Sequence, residues 1–350
     1  MSSARIMVEV VRWGVAWWLL WKLPRVGPGV ATTKRTVVVV PARDEAENLA
    51  RLLPSIAGAD VIVVDDGSTD ATAAVAAAHG AEVVIAASPP EGWTGKTNAC
   101  ALGARAATAD RFVFMDADVV AEPDGIERIL AEHDRTGGLV SVQPWHAVER
   151  PYEHLNAFFN LLAPMAVDAF TPLGRRRRAT GAFGPCLVLD RDLYERSGGH
   201  GGPTVRGAVL DDVALARAVQ AAGGEVHLFG GRGALGFRMY PEGVAQLVEG
   251  WTKNFAGGAA GTRPTTSVLV LLWISGLIAA PFAPRPAAFV LYAAYAAQLT
   301  ILLRRVGRFS MSTAAVYPVP LAFFIGVFLR SAILTFVRHE VRWRGRTIRT

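Results

Sequence analysis

The 350-residue chain is 51% hydrophobic and only 19% charged, with a formal net charge of +6. Its mean hydropathy of +0.29 excludes a disordered chain and is too high for an ordinary soluble enzyme, where about 25% of residues are charged. Membrane segments are expected, and the basic clusters sit beside apolar stretches, which favours a membrane surface over nucleic acid as their partner.

Residues 6–23 (IMVEVVRWGVAWWLLWKL) are apolar but interrupted by Glu9 and Arg12. Glu9, Arg12 and Ala16 share one helical face. That pattern predicts a helix lying in the membrane interface, with Trp13, Trp17, Trp18 and Trp21 at headgroup depth; a poor transmembrane helix is the alternative. No small-residue cleavage site comes after it, so no signal peptide is expected. Pro24, Pro28 and Gly29 begin a linker, and the N-terminal segment is taken as 1–30.

From residue 36 strands and helices alternate. TVVVV (36–40), DVIVVDD (60–66), AEVVIA (81–86) and RFVFMDAD (111–118) read as buried parallel strands. EAENLARLLPSI, ATAAVAAAHG and KTNACALGARAA read as the helices between them. This is an α/β fold with a mostly parallel sheet and flanking helices. It continues less regularly to residue 263, through Gly-rich loops at 180–185 and 198–207, a helix after Leu210 and a strand near 225–229. A catalytic domain is therefore placed at 31–263. The charge-free runs 264–284, 286–303 and 309–329 then suit transmembrane helices, in a region taken as 264–337, and a basic tail closes the chain at 338–350. Cys100 and Cys186 lack CxxC or histidine spacing and read as buried free thiols, with no zinc site.

Ligands of such sheets bind beyond the carboxyl ends of the strands, and the acidic motifs lie there. Asp116 and Asp118, at i and i+2 of a strand end, can converge on one hard cation, Mg²⁺ or Mn²⁺, bridging protein to a diphosphate. Alone, such a pair is as well read as a solvated turn. Asp65 and Asp66 end another strand: Asp66 can accept from a base or ribose, Gly67 permits a tight turn, and Ser68 and Thr69 are assigned to capping the next helix. Pro41-Ala42-Arg43-Asp44-Glu45 ends the first strand at the same edge.

PARDEAENL, VDDGSTDAT, GKTNAC and FMDADV, in this order, resemble the nucleotide-binding half of family 2 glycosyltransferases with the GT-A fold. The resemblance covers about residues 36–260. It implies that Pro41, Ala42, Asp44, Asp65 and Asp66 hold the nucleoside of a donor sugar. It further implies Lys96 near the donor, Asp116 near the ribose or sugar and also on the metal, and Asp118 on the metal. Leu210-Asp211-Asp212 is similar to the family's Glu-Asp pair, with Asp211 replacing glutamate, and makes Asp212 the general base. The QxxRW motif of many relatives is altered to Val248-Glu249-Gly250-Trp251-Thr252-Lys253, so Trp251 falls to the donor site and Lys253 to neutralising the departing diphosphate. That variant, with TGAFGPCLVLDRDLYERSGGH, is similar to carotenoid-acid and hopanoid-associated members.

The resemblance implies an inverting, metal-dependent transfer of a sugar, glucose in its closest form, from a UDP-sugar to an apolar lipid acceptor at the bilayer. A processive polysaccharide synthase would want more spans and an intact QxxRW; a transporter or scaffold with an inert nucleotide-binding domain would want polar spans. A cytosolic donor places the catalytic domain at the cytoplasmic face of a multi-pass membrane protein. Arg304, Arg305 and Arg308 then fall inside, and Pro318 and Pro320 suggest a hairpin or re-entrant turn that returns the tail. Arg175 to Arg178 read as a solvated loop or a lipid contact, and His146 as structural or acceptor-lining.

Overall fold

The structure, a computed structural model, describes residues 3–30, 33–174, 177–335, 340–343 and 346–349; of 255–260, 340–343 and 346–349 only the backbone is described. Arg175, Arg176 and part of the basic tail therefore lie outside the described residues. The chain forms two compact units: 24–145 with 181–238, and 1–23 with 146–180 and 239–350.

The first unit holds β1 (Thr36–Ala42), α2 (Ala46–Ser55), β2 (Asp60–Asp65), α3 (Thr72–Ala78), β3 (Glu82–Ile85), α4 (Gly95–Ala106) and β4 (Arg111–Met115), numbered after α1 (Ser3–Leu19) of the second unit. Next come β5 (Val119–Ala121), α5 (Gly125–Thr136), β6 (Leu139–Gln143) and β7 (Trp145–His146), the last ending at the boundary with the second unit. After α6 (Ala157–Ala166) of the second unit, the first resumes with β8 (Cys186–Asp190), α7 (Arg191–Arg196), α8 (Asp211–Ala221), β9 (Val226–Gly230) and β10 (Leu235–Phe237). A seven-stranded sheet runs β3-β2-β1-β4-β8-β6-β9. All its pairings are parallel except those of β8, which is antiparallel to β4 and β6. A second, small sheet runs β5-β10-β7.

The alternation read from the sequence holds because the central strands are apolar on both faces. Val37 to Val40 are all buried, each such valine contributing roughly 1.5–3 kcal/mol. On α2, Leu49, Leu52 and Leu53 form the inward stripe. Helix α4 comes so near β1 that a Cβ on Gly103 would sit 2.3 Å from Val39 Cγ1. Cys100 and Cys186 are buried and free, as expected.

The second unit is helical: α1, α6, α9 (Val244–Gly261), α10 (Pro264–Ala279), α11 (Ala287–Val306), α12 (Met311–Ala315) and α13 (Pro318–Ile333), with a terminal hairpin of β11 (Glu340–Trp343) and β12 (Arg346–Arg349). Among the described residues two helices, Pro264–Phe282 and Ala287–Val306, are long and apolar enough to cross a membrane. The third charge-free run is not one helix: it breaks at Val316–Tyr317, and Pro318 and Pro320 occupy the first turn of the 16-residue α13, where proline costs no hydrogen bond. The polar face of α1 does not point outward. Arg12 donates to Glu9 (2.8 Å) against α10, where Arg12 Cβ comes within 3.0 Å of a Cβ position at Gly276. Gln298 of α11 accepts from Trp273 (2.9 Å) and donates to the Trp13 carbonyl (2.7 Å). Many large apolar side chains are left exposed, Ile6, Met7, Val10, Val268, Leu271, Phe282, Phe289 and Val290 among them.

Candidate active site

The register of the parallel strands gathers the acidic motifs at one edge of the first unit. Pro41 pairs with Val64 and Ala42 with Asp65, and the Asp66 amide donates to the Ala42 carbonyl at 2.9 Å. On the other side of β1, β4 ends at Met115, so Asp116-Ala117-Asp118 forms a turn rather than the strand's last residues. The Val119 amide closes that turn on the Asp116 carbonyl (3.3 Å), and the Asp116 amide donates to Pro185 at the start of antiparallel β8 (3.1 Å).

The loop after β2 is held by its own side chains. Asp65 Oδ1 accepts from the Ser68 amide (2.8 Å) and hydroxyl (2.5 Å), while Ser68 Oγ accepts from the Asp44 amide (3.0 Å). Asp44, at φ 52°, accepts through Oδ1 from the Thr69 amide (2.7 Å) and hydroxyl (3.0 Å); the Thr69 amide chiefly holds its carboxyl below the usual range. Ser68 and Thr69 therefore tie two strand ends together instead of capping α3, whose N-cap position is Ala71 without a side-chain cap. These hydroxyls donate to ionised carboxylates, a charge-assisted bond stronger than the neutral one in which a capping hydroxyl accepts from a helix amide.

Lys96 stands in the first turn of α4, begun by Thr94, whose hydroxyl accepts from the Thr97 amide (3.2 Å). Its Nζ lies 2.8 Å from Asp116 Oδ1 and 3.7 Å from Asp211 Oδ1. Burial works against its charge, but Asp116 and then Asp211 outweigh it and hold the ammonium well above its ordinary range. Asp211 and Asp212 open α8, and the Asp212 Oδ1 accepts from the Val213 amide at 2.9 Å. Burial, then the charge of Asp211, pushes the Asp212 carboxyl up to about 6. Burial, then Asp116 and Glu45, pushes Asp118 up to about 7. The edge thus concentrates carboxylates around one ammonium.

Two contributors were not assigned a site role from the sequence. A Cβ on Gly184 would meet Asp212 Oδ2 at 3.2 Å and Lys96 Nζ at 3.3 Å, so the bare backbone there leaves room for both groups. His200 is fully buried and faces Asp211 Oδ2 across 3.8 Å. Their sequence signals were membership of the two Gly-rich loops and of the TGAFGPCLVLDRDLYERSGGH segment, neither of which singles them out.

Among the described residues no group of three or more His, Cys, Asp or Glu side chains is placed to hold a metal by itself. Asp116 and Asp118 nonetheless suit a hard divalent cation. Their oxygens are the right ligand atoms, Mg²⁺-type sites need only one or two carboxylates with diphosphate oxygens, and burial first, then the charges of Asp116 and Glu45, makes the ionised Asp118 costly without a cation beside it.

Asp44, Asp65, Asp66, Lys96, Asp116, Asp118, Asp211 and Asp212 all belong to the first unit; Trp251 and Lys253 belong to α9 of the second. There Trp251 is buried, donates to Asn156 Oδ1 (2.6 Å) and stacks on Phe159 at 4.6 Å. His146 is buried and stacks on Phe309 at 5.5 Å, as a structural histidine would. Arg177 and Arg263 both bind the buried Asp168, at 2.8 and 3.3 Å, which removes Arg177 from a free solvated loop.

Residues 37–196 match the model of "Glycosyl transferase family 2". The chain is 35% identical over 332 residues, 89% of its length and 88% of the relative's, to 4,4'-diaponeurosporenoate glycosyltransferase of Staphylococcus aureus strain USA300. A mannosyltransferase of Pyrobaculum calidifontis, solved in complex with GDP-Man and Mn²⁺, shares the fold at a TM-score of 0.57 and 21% identity, over 97% of both chains.

Proposed function

The chain belongs to glycosyl transferase family 2, and from that premise we propose that it moves glucose from UDP-glucose to the carboxylate of an apolar carotenoid acid, with inversion at the anomeric carbon. The observation that carries the reading is the edge where Lys96, the Asp116–Asp118 turn and the Asp211–Asp212 helix start converge. The relative's name supports the acceptor class, and the mannosyltransferase of the same fold binds a nucleotide sugar with Mn²⁺.

In this reading Asp65, Asp66 and the Pro41–Asp44 turn hold the nucleoside. Asp118, with Asp116, holds Mg²⁺ or Mn²⁺. The cation supplies charge neutralisation of the diphosphate. Lys96 steadies Asp116 beside the sugar, and Lys253, with Trp251 in α9, serves the departing diphosphate. An acceptor oxygen forms the new bond to the anomeric carbon as the bond to the diphosphate breaks. A carboxylate acceptor is already ionised at neutral pH, so Asp212 orients it; with a hydroxyl acceptor Asp212 takes the proton.

The apolar exterior of the second unit supports its insertion in a bilayer. Phe282 and Phe289 are 84% and 80% exposed, while Glu9 pairs with Arg12 inward, the reverse of a water-soluble bundle. Spans at α10 and α11 place Arg304, Arg305 and Arg308 at a cytoplasmic surface, and the acceptor reaches the enzyme laterally through the lipid. The test is transfer from UDP-glucose to a carotenoid acid in detergent micelles with Mn²⁺, read by mass spectrometry for the hexosyl ester. Asp118→Asn and Asp212→Asn are each expected to lose at least tenfold; full activity in both would remove the mechanism.

A further inference from the structure

His200 sits in the loop Gly198-Gly199-His200-Gly201-Gly202, between α7 and α8. It is fully buried, although histidine gains nothing from burial unless its nitrogens are satisfied. The loop is shaped around Tyr194: Gly199 adopts φ 53°, and a Cβ there would come 2.4 Å from Tyr194 Cζ. The Tyr194 hydroxyl accepts from the His200 backbone amide at 3.1 Å and lies 3.2 Å from His200 Nδ1. Having accepted, it has one proton to give, and Nδ1 is the acceptor in reach. Burial, more than any neighbour, pushes the imidazole down to about 4, so the ring is neutral near pH 7. A neutral ring accepting at Nδ1 carries its proton on Nε2. Phe114 meets the same ring edge-on at 4.5 Å and limits its rotation.

The Nε2–H then points at Asp211. Among the described residues neither His200 Nε2 nor Asp211 Oδ2 has a hydrogen-bond partner, and the two face each other at 3.8 Å. Two orphaned buried atoms of complementary character call for closure, because each alone forfeits its hydration. Less than 1 Å of movement makes the bond, on the scale by which catalytic hydrogen bonds tighten when substrate binds. The other oxygen of Asp211 faces Lys96, which in turn holds Asp116.

We propose that His200 is a positioning residue: it holds Asp211 through Nε2–H, and the Tyr194–His200–Asp211–Lys96–Asp116 chain fixes where the Lys96 ammonium stands when the donor sugar is bound. The inference rests on reading this edge as the donor site. It explains why a shorter aspartate serves at position 211: the buried ring reaches in from behind and supplies the fixed point.

The experiment compares His200→Phe, which keeps a ring against Phe114 but removes the donor, with His200→Gln, whose side-chain amide restores a donor near the Nε2 position. Full-length protein in detergent is assayed for UDP release from UDP-glucose with Mn²⁺ and a carotenoid acid, beside thermal melts. Expected are a kcat at least tenfold lower for His200→Phe, a KM for UDP-glucose within twofold of wild type, and recovery of most of the kcat in His200→Gln at the same melting temperature. Wild-type kcat in a folded His200→Phe overturns the proposal, as does an equal loss in a folded His200→Gln. If His200→Phe does not fold, His200→Gln decides: near-wild-type kcat supports the donor role, and a loss overturns it. Asp118→Asn, run in parallel, separates the two levels: its full activity removes the donor-site reading itself, whereas its loss beside an active His200→Phe removes only the positioning role.

Discussion

Asp212→Asn is expected to stabilise the metal-free protein while it cripples transfer. The Asp212 carboxyl is raised from an ordinary 3.8 to about 6, by burial first and by Asp211 second. An acid with a folded-state pKa above its unfolded value is held more tightly as the protonated form. Its contribution is therefore favourable at low pH, is lost as pH rises from about 4 to about 6, and leaves the ionised group a burden above that. At 1.36 kcal/mol per pH unit the full displacement is on the order of 3 kcal/mol; residual solvent contact of Asp212 reduces this to about 1–2 kcal/mol. Asparagine keeps an oxygen for the Val213 amide and carries no charge. At about 2–4 °C per kcal/mol, the variant should melt roughly 2–8 °C above wild type at pH 8, with the gap narrowing to about half at pH 5 and closing near pH 4. Differential scanning fluorimetry in detergent with EDTA reads both. A variant that melts below wild type at pH 8, or a gap that does not change with pH, would refute the charge-strain argument.

With a hydroxyl acceptor, whose proton Asp212 must take, transfer by the wild type should fall as pH drops through about 6, because Asp212 is itself protonated there; its ionised fraction goes from about 90% at pH 7 to about 10% at pH 5. The Asp212→Asn profile should lack that limb. Mn²⁺ with UDP should stabilise the wild type at pH 7.5 by about 2.7 kcal/mol at a hundredfold excess over Kd, read as a rise in melting temperature, and Asp118→Asn should abolish the rise. Gly103→Ala should cost about 1–3 kcal/mol in a denaturant melt, since the new methyl would lie 2.3 Å from Val39 Cγ1. The protein should stay in the membrane pellet through high salt and alkaline carbonate, because the exposed side chains along α10 and α11 are mostly apolar, with Arg304 only in the last turn of α11; release by salt alone would contradict insertion.

Much of this molecule was legible in the chain. A run such as Val37–Val40, apolar at every position, has no solvent face, so it reads as a central strand and is one. Acids at the ends of such strands must share an edge if the strands are parallel, and the β1–β2 and β1–β4 registers bring Ala42, Asp65 and the Asp116 turn together accordingly. Periodicity and strand polarity are local properties, and they carried the family resemblance with them.

Other features depend on which distant segments meet. Alternation in sequence says nothing of the one strand that runs backward, yet antiparallel β8 is what brings Gly184 against Lys96 and Asp212. A single histidine has no spacing to read, and His200 gains meaning only because the loop folds it behind Asp211. The Glu9–Arg12 face of α1 was visible as a stripe, but a stripe does not say whether it meets water or another helix; packing on α10 turned it inward and left the apolar side outside. Hydrophobic pattern is written residue by residue, whereas the partner of each face is set by the free energy of the whole packed chain.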